Sequence, residues 1–158
     1  MSTEIGQGYR GTEGRLGYLL RQAYQAMRGE IDAVARRNGI TAPQFSVMSV
    51  LRHEPGLSGV EVARQCMLRA QTTNEIILLL ERDGLVERRP DAADRRRLTV
   101  FLTQQGWRVL TVVDERVAEI ESRVLRMLPD LERAGLMAGL VRCALEYGNG
   151  EPSTAPAD

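Results

Sequence analysis

Apolar residues recur at helical spacing from Leu16 onward. Leu16, Leu20, Ala23, Met27, Ile31 and Ala35 line one face of a long helix over roughly 14–37. Asn38-Gly39 ends it, because Gly39 can take the left-handed conformation that closes a helix. Thr41 is the next N-cap, with Pro43 in the first turn, where a missing N–H costs nothing. That second helix runs through Phe45, Met48, Val50 and Leu51 and stops near Glu54-Pro55-Gly56. Ser58 with Glu61 three residues later forms a capping-box pattern and opens a short third helix through Val60, Val62, Ala63 and Cys66. A polar stretch from Arg69 to Glu75 then runs directly into Ile76-Ile77-Leu78-Leu79-Leu80. This predicts a fourth helix with a polar front and an apolar back, ending at Asp83-Gly84.

The period then changes. Leu85 to Arg89 and residues 98–102 (LTVFL) read as strands, joined by a turn at Pro90-Asp91-Ala92-Ala93-Asp94. Thr103 caps the following helix. There Val113, Val117, Ile120, Val124, Met127 and Leu131 step 4, 3, 4, 3, 4, a heptad seam that predicts a surface larger than one small core would use. A last helix covers about 130–146. The expected order is α-α-α-α-β-β-α-α with no internal repeat. Residues 1–13 lack a period and are expected to form a loose arm. The Gly/Pro/Ser/Ala tail at 148–158 is expected to be disordered.

Composition narrows the possibilities. With 43% hydrophobic and 27% charged residues in 158, the chain can form one ordinary globular core. No stretch approaches 18 uninterrupted apolar residues, and the N-terminus has no apolar signal region. The expected location is the cytoplasm, with no membrane partner. Cys66 and Cys143 lie far apart, there is no CxxC, and His53 is the single His. That excludes the usual zinc spacings within one chain, so no metal and no cofactor are expected. No GxxxxGK[ST] or GxGxxG loop is present. His53 beside Glu54 has no Ser or Cys nucleophile fixed near it, so no catalytic residues are assigned and no enzyme is expected.

The formal charge is zero, so any nucleic-acid partner must be argued from where the charges sit. All 21 basic residues are Arg, a bias that a GC-rich coding sequence explains most simply. Residues 88–97 (RRPDAADRRR) hold five Arg against two Asp at the hairpin tip. Such a tip can reach phosphates or a narrow minor groove, or simply be a solvated loop. The helix pair before the hairpin reads as a helix-turn-helix. Gln71, Thr72, Asn74 and Glu75 stand where base edges are read: Gln and Asn suit adenine, Thr a thymine methyl and Glu a cytosine amine.

The residues then match a known pattern. Asp94-x-Arg96-x-x-x-Val100-x-Leu102-Thr103 resembles the wing signature DxRxxxVxLT of the MarR (multiple antibiotic resistance regulator) family. Leu80-Glu81-Arg82-Asp83-Gly84-Leu85-Val86-Glu87-Arg88 resembles that family's LExxGLVxR segment. Leu16-Gly-Tyr-Leu-Leu-Arg21 and Ile40-Thr-Ala-Pro-Gln-Phe45 are also similar, and the likeness covers about residues 14–146.

The resemblance implies a mainly α fold with a small β-hairpin wing: a winged helix-turn-helix lobe at 40–103, with dimerisation helices at 14–39 and 104–147. It implies a homodimer on a pseudo-palindromic DNA operator, with repression as the default. The recognition helix would span 70–83. Arg69, Gln71, Thr72, Thr73, Asn74 and Glu75 would be its DNA-facing residues. Arg96 would enter the minor groove, Arg95 and Arg97 would touch phosphates, and Asp94 would hold the wing in shape. Glu75 departs from the Arg or Pro that many members carry, and is expected to sharpen sequence choice by rejecting wrong bases.

Family members usually answer to small aromatic or phenolic ligands, drugs or oxidants. Tyr24, Met27, Met48 and His53 are the candidate effector-binding residues. The organic-hydroperoxide branch carries its reactive Cys where this chain has Gly17. This chain therefore lacks that branch's key residue; redox sensing through Cys66 or Cys143 is kept as an alternative, with buried structural thiols the favoured reading. A winged-helix module that binds protein instead of DNA is the other alternative.

Overall fold

The computed structural model describes residues 4–147. It contains a 3-10 helix Gly8–Arg10, then α1 Leu16–Arg37, α2 Ala42–His53, β1 Leu57–Ser58, α3 Gly59–Gln65 and α4 Ala70–Arg82. β2 Val86–Pro90, β3 Leu98–Leu102, α5 Gln104–Arg126 and α6 Asp130–Tyr147 follow. No helix among the described residues is long and apolar enough to cross a membrane.

The helix boundaries follow local chemistry. Thr41 accepts from the Gln44 backbone N–H, and its own N–H donates to Gln44 Oε1 at 2.8 Å, so α2 opens on a reciprocal box. Ser58 and Glu61 do the same for α3. Thr103 accepts from Gly106 N–H at 3.0 Å and donates to Gly84 C=O at 2.7 Å, tying the start of α5 to the end of α4. Gly39 and Gly84 take φ of 78° and 70° just past their helices.

The hairpin gains a third strand that has no sequence signal. β1 pairs antiparallel with β3, Leu57 opposite Val100 and Ser58 opposite Thr99, giving the order β1-β3-β2. Two residues are too short for any alternation to show. Gly56, at φ 84°, makes the connection; a Cβ there would stand 3.0 Å from the Phe101 ring.

Val47, Met48, Leu51, Val62, Ile77, Leu80, Val86, Val100, Leu110 and Val113 form a single core beneath the sheet and between α1 to α5. Apolar residues close that core, and a 2.7 Å Arg52–Asp114 ion pair braces α2 against α5 at its edge.

Two expectations need revision. The heptad seam runs past the end of a single helix. Val113, Val117 and Ile120 are buried within this chain, whereas Val124, Met127 and Leu131 are exposed. Pro129 forces a break, so α5 ends at Arg126 and Leu131 belongs to α6. The segment read as a loose arm carries the 3-10 helix and contacts α1: the Tyr9 and Tyr18 rings lie 4.7 Å apart, and Arg10 donates to Gln22 Oε1 at 3.1 Å. Two glycines let that segment turn tightly, since a Cβ at Gly14 would sit 2.3 Å from Tyr9 C=O. The tail at 148–158 lies outside the described residues.

α6 leaves every side chain described on it at least partly exposed. Leu131, Leu136, Met137, Leu140, Val141 and Leu145 are large apolar residues among them. At its corner with α5, Arg133 donates to the Leu125 and Leu128 carbonyls.

Candidate nucleic-acid interface

The first turn of α4 divides cleanly. Thr73, Ile76, Ile77 and Leu80 point into the core, while Gln71, Thr72, Asn74 and Glu75 are exposed on the opposite side. Arg69, just before the helix, is exposed as well. Thr73 therefore departs from the expected set. Its side chain is fully buried, and its hydroxyl has no hydrogen-bond partner among the described residues. The spacing already held this answer, since 73, 76, 77 and 80 form one helical stripe. Glu75 accepts from Gln71 Nε2 at 3.4 Å, so these two polar side chains lean on each other one turn apart.

The turn into α4 contains Met67 at φ 54°, the single non-Gly residue with positive φ among those described. It is strongly exposed. A left-handed Met costs about 1–2 kcal/mol relative to ordinary backbone; the turn is closed by Met67 N–H to Arg64 C=O and Leu68 N–H to Ala63 C=O, at 3.2 and 2.9 Å.

The wing tip is built by two carboxylates. Asp91 accepts from the Ala93 and Asp94 N–H groups at 2.7 and 3.2 Å, and Asp94 accepts from Arg96 N–H at 3.0 Å. The two backbone bonds hold the Asp91 carboxyl below its usual range. The wing signature points only to Asp94 for this role; Asp91 shares it, and its place right after Pro90 at a turn start is the signal for it. The loop closes through Asp91 N–H to Arg97 C=O and Arg97 N–H to Asp94 C=O, both 2.9 Å.

The five wing arginines have different fates. Arg88 pairs with Glu81 of α4 at 2.9 Å and is mostly buried. Arg89 pairs with Glu87 and lies over the Phe101 ring, 4.7 Å from its centroid. Arg97 pairs with Glu61 of α3. Arg95 and Arg96 are exposed and make no ion pair among the described residues. Glu61 also accepts from the backbone and hydroxyl of Ser58, both at 2.8 Å. Those bonds first, and Arg97 second, hold its carboxyl down at about 2.

A cleft of about 290 Å³ lies between α1, α2 and the end of α3. Tyr24, Met27, Arg28, Phe45, Cys66 and Leu68 are among its walls. Of the four candidate effector residues, Tyr24 and Met27 line it. Met48 does not: it is fully buried in the core, on the inward side of α2. His53 is exposed at the far end of α2. Phe45 and Arg28 were missed, because no period distinguishes a cleft wall from a core wall. Cys66 and Cys143 are half-buried, not buried as expected; partial burial still pushes the Cys66 thiol up, away from reactive thiolate character. A larger groove between α1 and α5, about 650 Å³, is lined mainly by Glu30, Glu119 and four arginines, which suits water better than an apolar ligand.

Known proteins share this arrangement. A family model described as MarR family matches residues 38–97. The HTH-type transcriptional repressor Rv2887 of Mycobacterium tuberculosis is 33% identical over 113 residues, spanning 72% of this chain and 81% of the repressor. The solved structure of that MarR family protein in complex with p-aminosalicylic acid covers 83% of this chain and 99% of its own, at 28% identity and a TM-score of 0.67. The transcriptional repressor CouR, solved on a 23-mer DNA duplex, covers 91% and 99% at 26% identity and a TM-score of 0.77. With a three-stranded wing beside an exposed α4 and a relative of this identity and extent, the chain belongs to the MarR family of winged-helix regulators.

Proposed function

We propose that this protein is a transcriptional repressor that binds a pseudo-palindromic operator as a homodimer and leaves it on binding a small aromatic acid. The observation that carries the reading is the shared exposure of Gln71, Thr72, Asn74 and Glu75 on α4 with Arg95 and Arg96 at the wing tip, which have no ion pair among the described residues. The first set suits base edges in a major groove and the second suits phosphates and the adjacent minor groove. CouR on its DNA duplex supports the same use of the fold. Residues 40–103 are the DNA-binding lobe. Residues 14–39 and 104–147 are the dimerisation helices, and the apolar exposure of α6 supports that role.

The cleft between α1 and α2 is the effector site in this reading. Tyr24 and Phe45 offer ring contacts and Arg28 a carboxylate partner. The p-aminosalicylic acid complex of the mycobacterial relative supports an aromatic acid.

The test is an electrophoretic mobility shift on DNA flanking the gene, across a salt series. Wild type should shift the DNA with a steep log–log salt dependence, about −0.9 per phosphate contact. Arg96→Ala should lose most of that affinity, and p-aminosalicylate should release the wild-type complex. A salt-insensitive interaction with protein in place of DNA would overturn the proposal.

A further inference from the structure

Arg97 was expected to meet a DNA phosphate, yet its contacts face the other way. Its backbone N–H and C=O both close the wing loop, on Asp94 and Asp91. Its guanidinium holds Glu61, which already accepts two hydrogen bonds from Ser58 at the start of α3. Ser58 in turn lies opposite Thr99 in the β1–β3 ladder, two residues beyond Arg97. The base of the wing and the first helix of the helix-turn-helix thus share one carboxylate.

We propose that Arg97 is a positioning residue: the Glu61–Arg97 pair latches the wing to α3 and thereby sets where Arg95 and Arg96 meet DNA. This rests on the DNA-binding reading above. An exposed ion pair adds little to global stability. Its consequence here is placement, because α3 packs on α4, so a wing fixed to α3 keeps a fixed offset from the recognition helix. The ten-residue wing segment carries five arginines in the sequence, but Arg95 and Arg96 are the two left for phosphates once the latch is closed.

Two kinds of variant separate a latch from a phosphate contact. Glu61→Gln keeps an acceptor for Ser58 N–H, so α3 stays capped while the charge that holds Arg97 is gone. Under the latch, Glu61→Gln and Arg97→Gln each weaken operator binding about tenfold and leave the salt slope unchanged, and Arg97→Lys recovers most of the loss. Arg95→Gln or Arg96→Gln instead lowers the slope by about 0.9. A rise in affinity with a steeper slope for Glu61→Gln would overturn the proposal, since Arg97 would then be a phosphate ligand that Glu61 competes for. So would a slope reduced by about 0.9 in Arg97→Gln.

A second readout needs no DNA. Tryptic cleavage at Arg95 and Arg96 in the free protein should be several-fold faster in Glu61→Gln than in wild type, at a temperature where both remain folded. Equal rates would overturn the latch. If wild type shifts no DNA under any condition, the DNA-binding reading and the role of Arg97 within it both fail, while the cleavage rates still report whether the wing is tied to α3.

Discussion

Thr73 shows how much a single side chain can be misjudged by its chemistry alone. A hydroxyl in the polar front of α4 invites a DNA role, but its position on the 73–76–77–80 stripe turns it into the core. It keeps an unsatisfied buried hydroxyl there. Thr73→Val preserves the shape and removes that cost, so it should stabilise the fold by about 1 kcal/mol in urea denaturation. Operator affinity should be unchanged, because the side chain does not reach the surface. Glu61 makes a prediction of opposite character. Its folded carboxyl titrates at about 2, below the 4.5 it has unpaired. Its contribution to stability is therefore complete above pH 4.5 and lost as pH falls from there towards 2. Thermal melts over that range should show a shallower acid loss in Glu61→Gln than in wild type.

At the level of elements, the wing depends on how closely the turn before β2 approaches the first turn of α5. A Cβ on Gly106 would stand 2.0 Å from the Leu85 carbonyl oxygen, against fixed backbone. The same junction carries the Thr103 hydrogen bonds to Gly84 and Gly106. Gly106→Ala should therefore destabilise the protein by about 1–3 kcal/mol, despite the better helix propensity of Ala, as a lowered denaturant midpoint. Most elements were legible from sequence. Thr41, Ser58 and Thr103 start their helices with hydrogen bonds to residues three positions on, and such bonds need nothing beyond the local chain. β1 was not legible, since Leu57 and Ser58 become a strand only because β3 offers them an open edge.

For the whole molecule, the chain presents more apolar surface on α6 than its own core can cover. Leu136, Met137, Leu140 and Val141 are each 42–56% exposed on one helix. A second copy is the proposed cover. Leu140→Glu should convert a dimer into monomer in analytical ultracentrifugation and abolish operator binding, while the far-UV helical signal stays near wild type. A Leu140→Glu protein that sediments as wild type would place the self-association surface elsewhere.

The helices, the two hairpin strands, the outward face of α4 and the Asp94–Arg96 wing pattern are all legible in the local sequence. Each depends on residues within about one turn or one strand of each other, where period and capping chemistry act without the rest of the fold. Long-range packing settles which wing arginines lack an ion pair among the described residues, which of Tyr24, Met27, Met48 and His53 share a cleft, and where the seam along α5 leaves the chain's own core. Those outcomes depend on partners distant in sequence. Glu61 and Arg97 lie 36 positions apart. Nothing in the local pattern of either could announce a pairing that exists only once β3 brings the base of the wing back over α3.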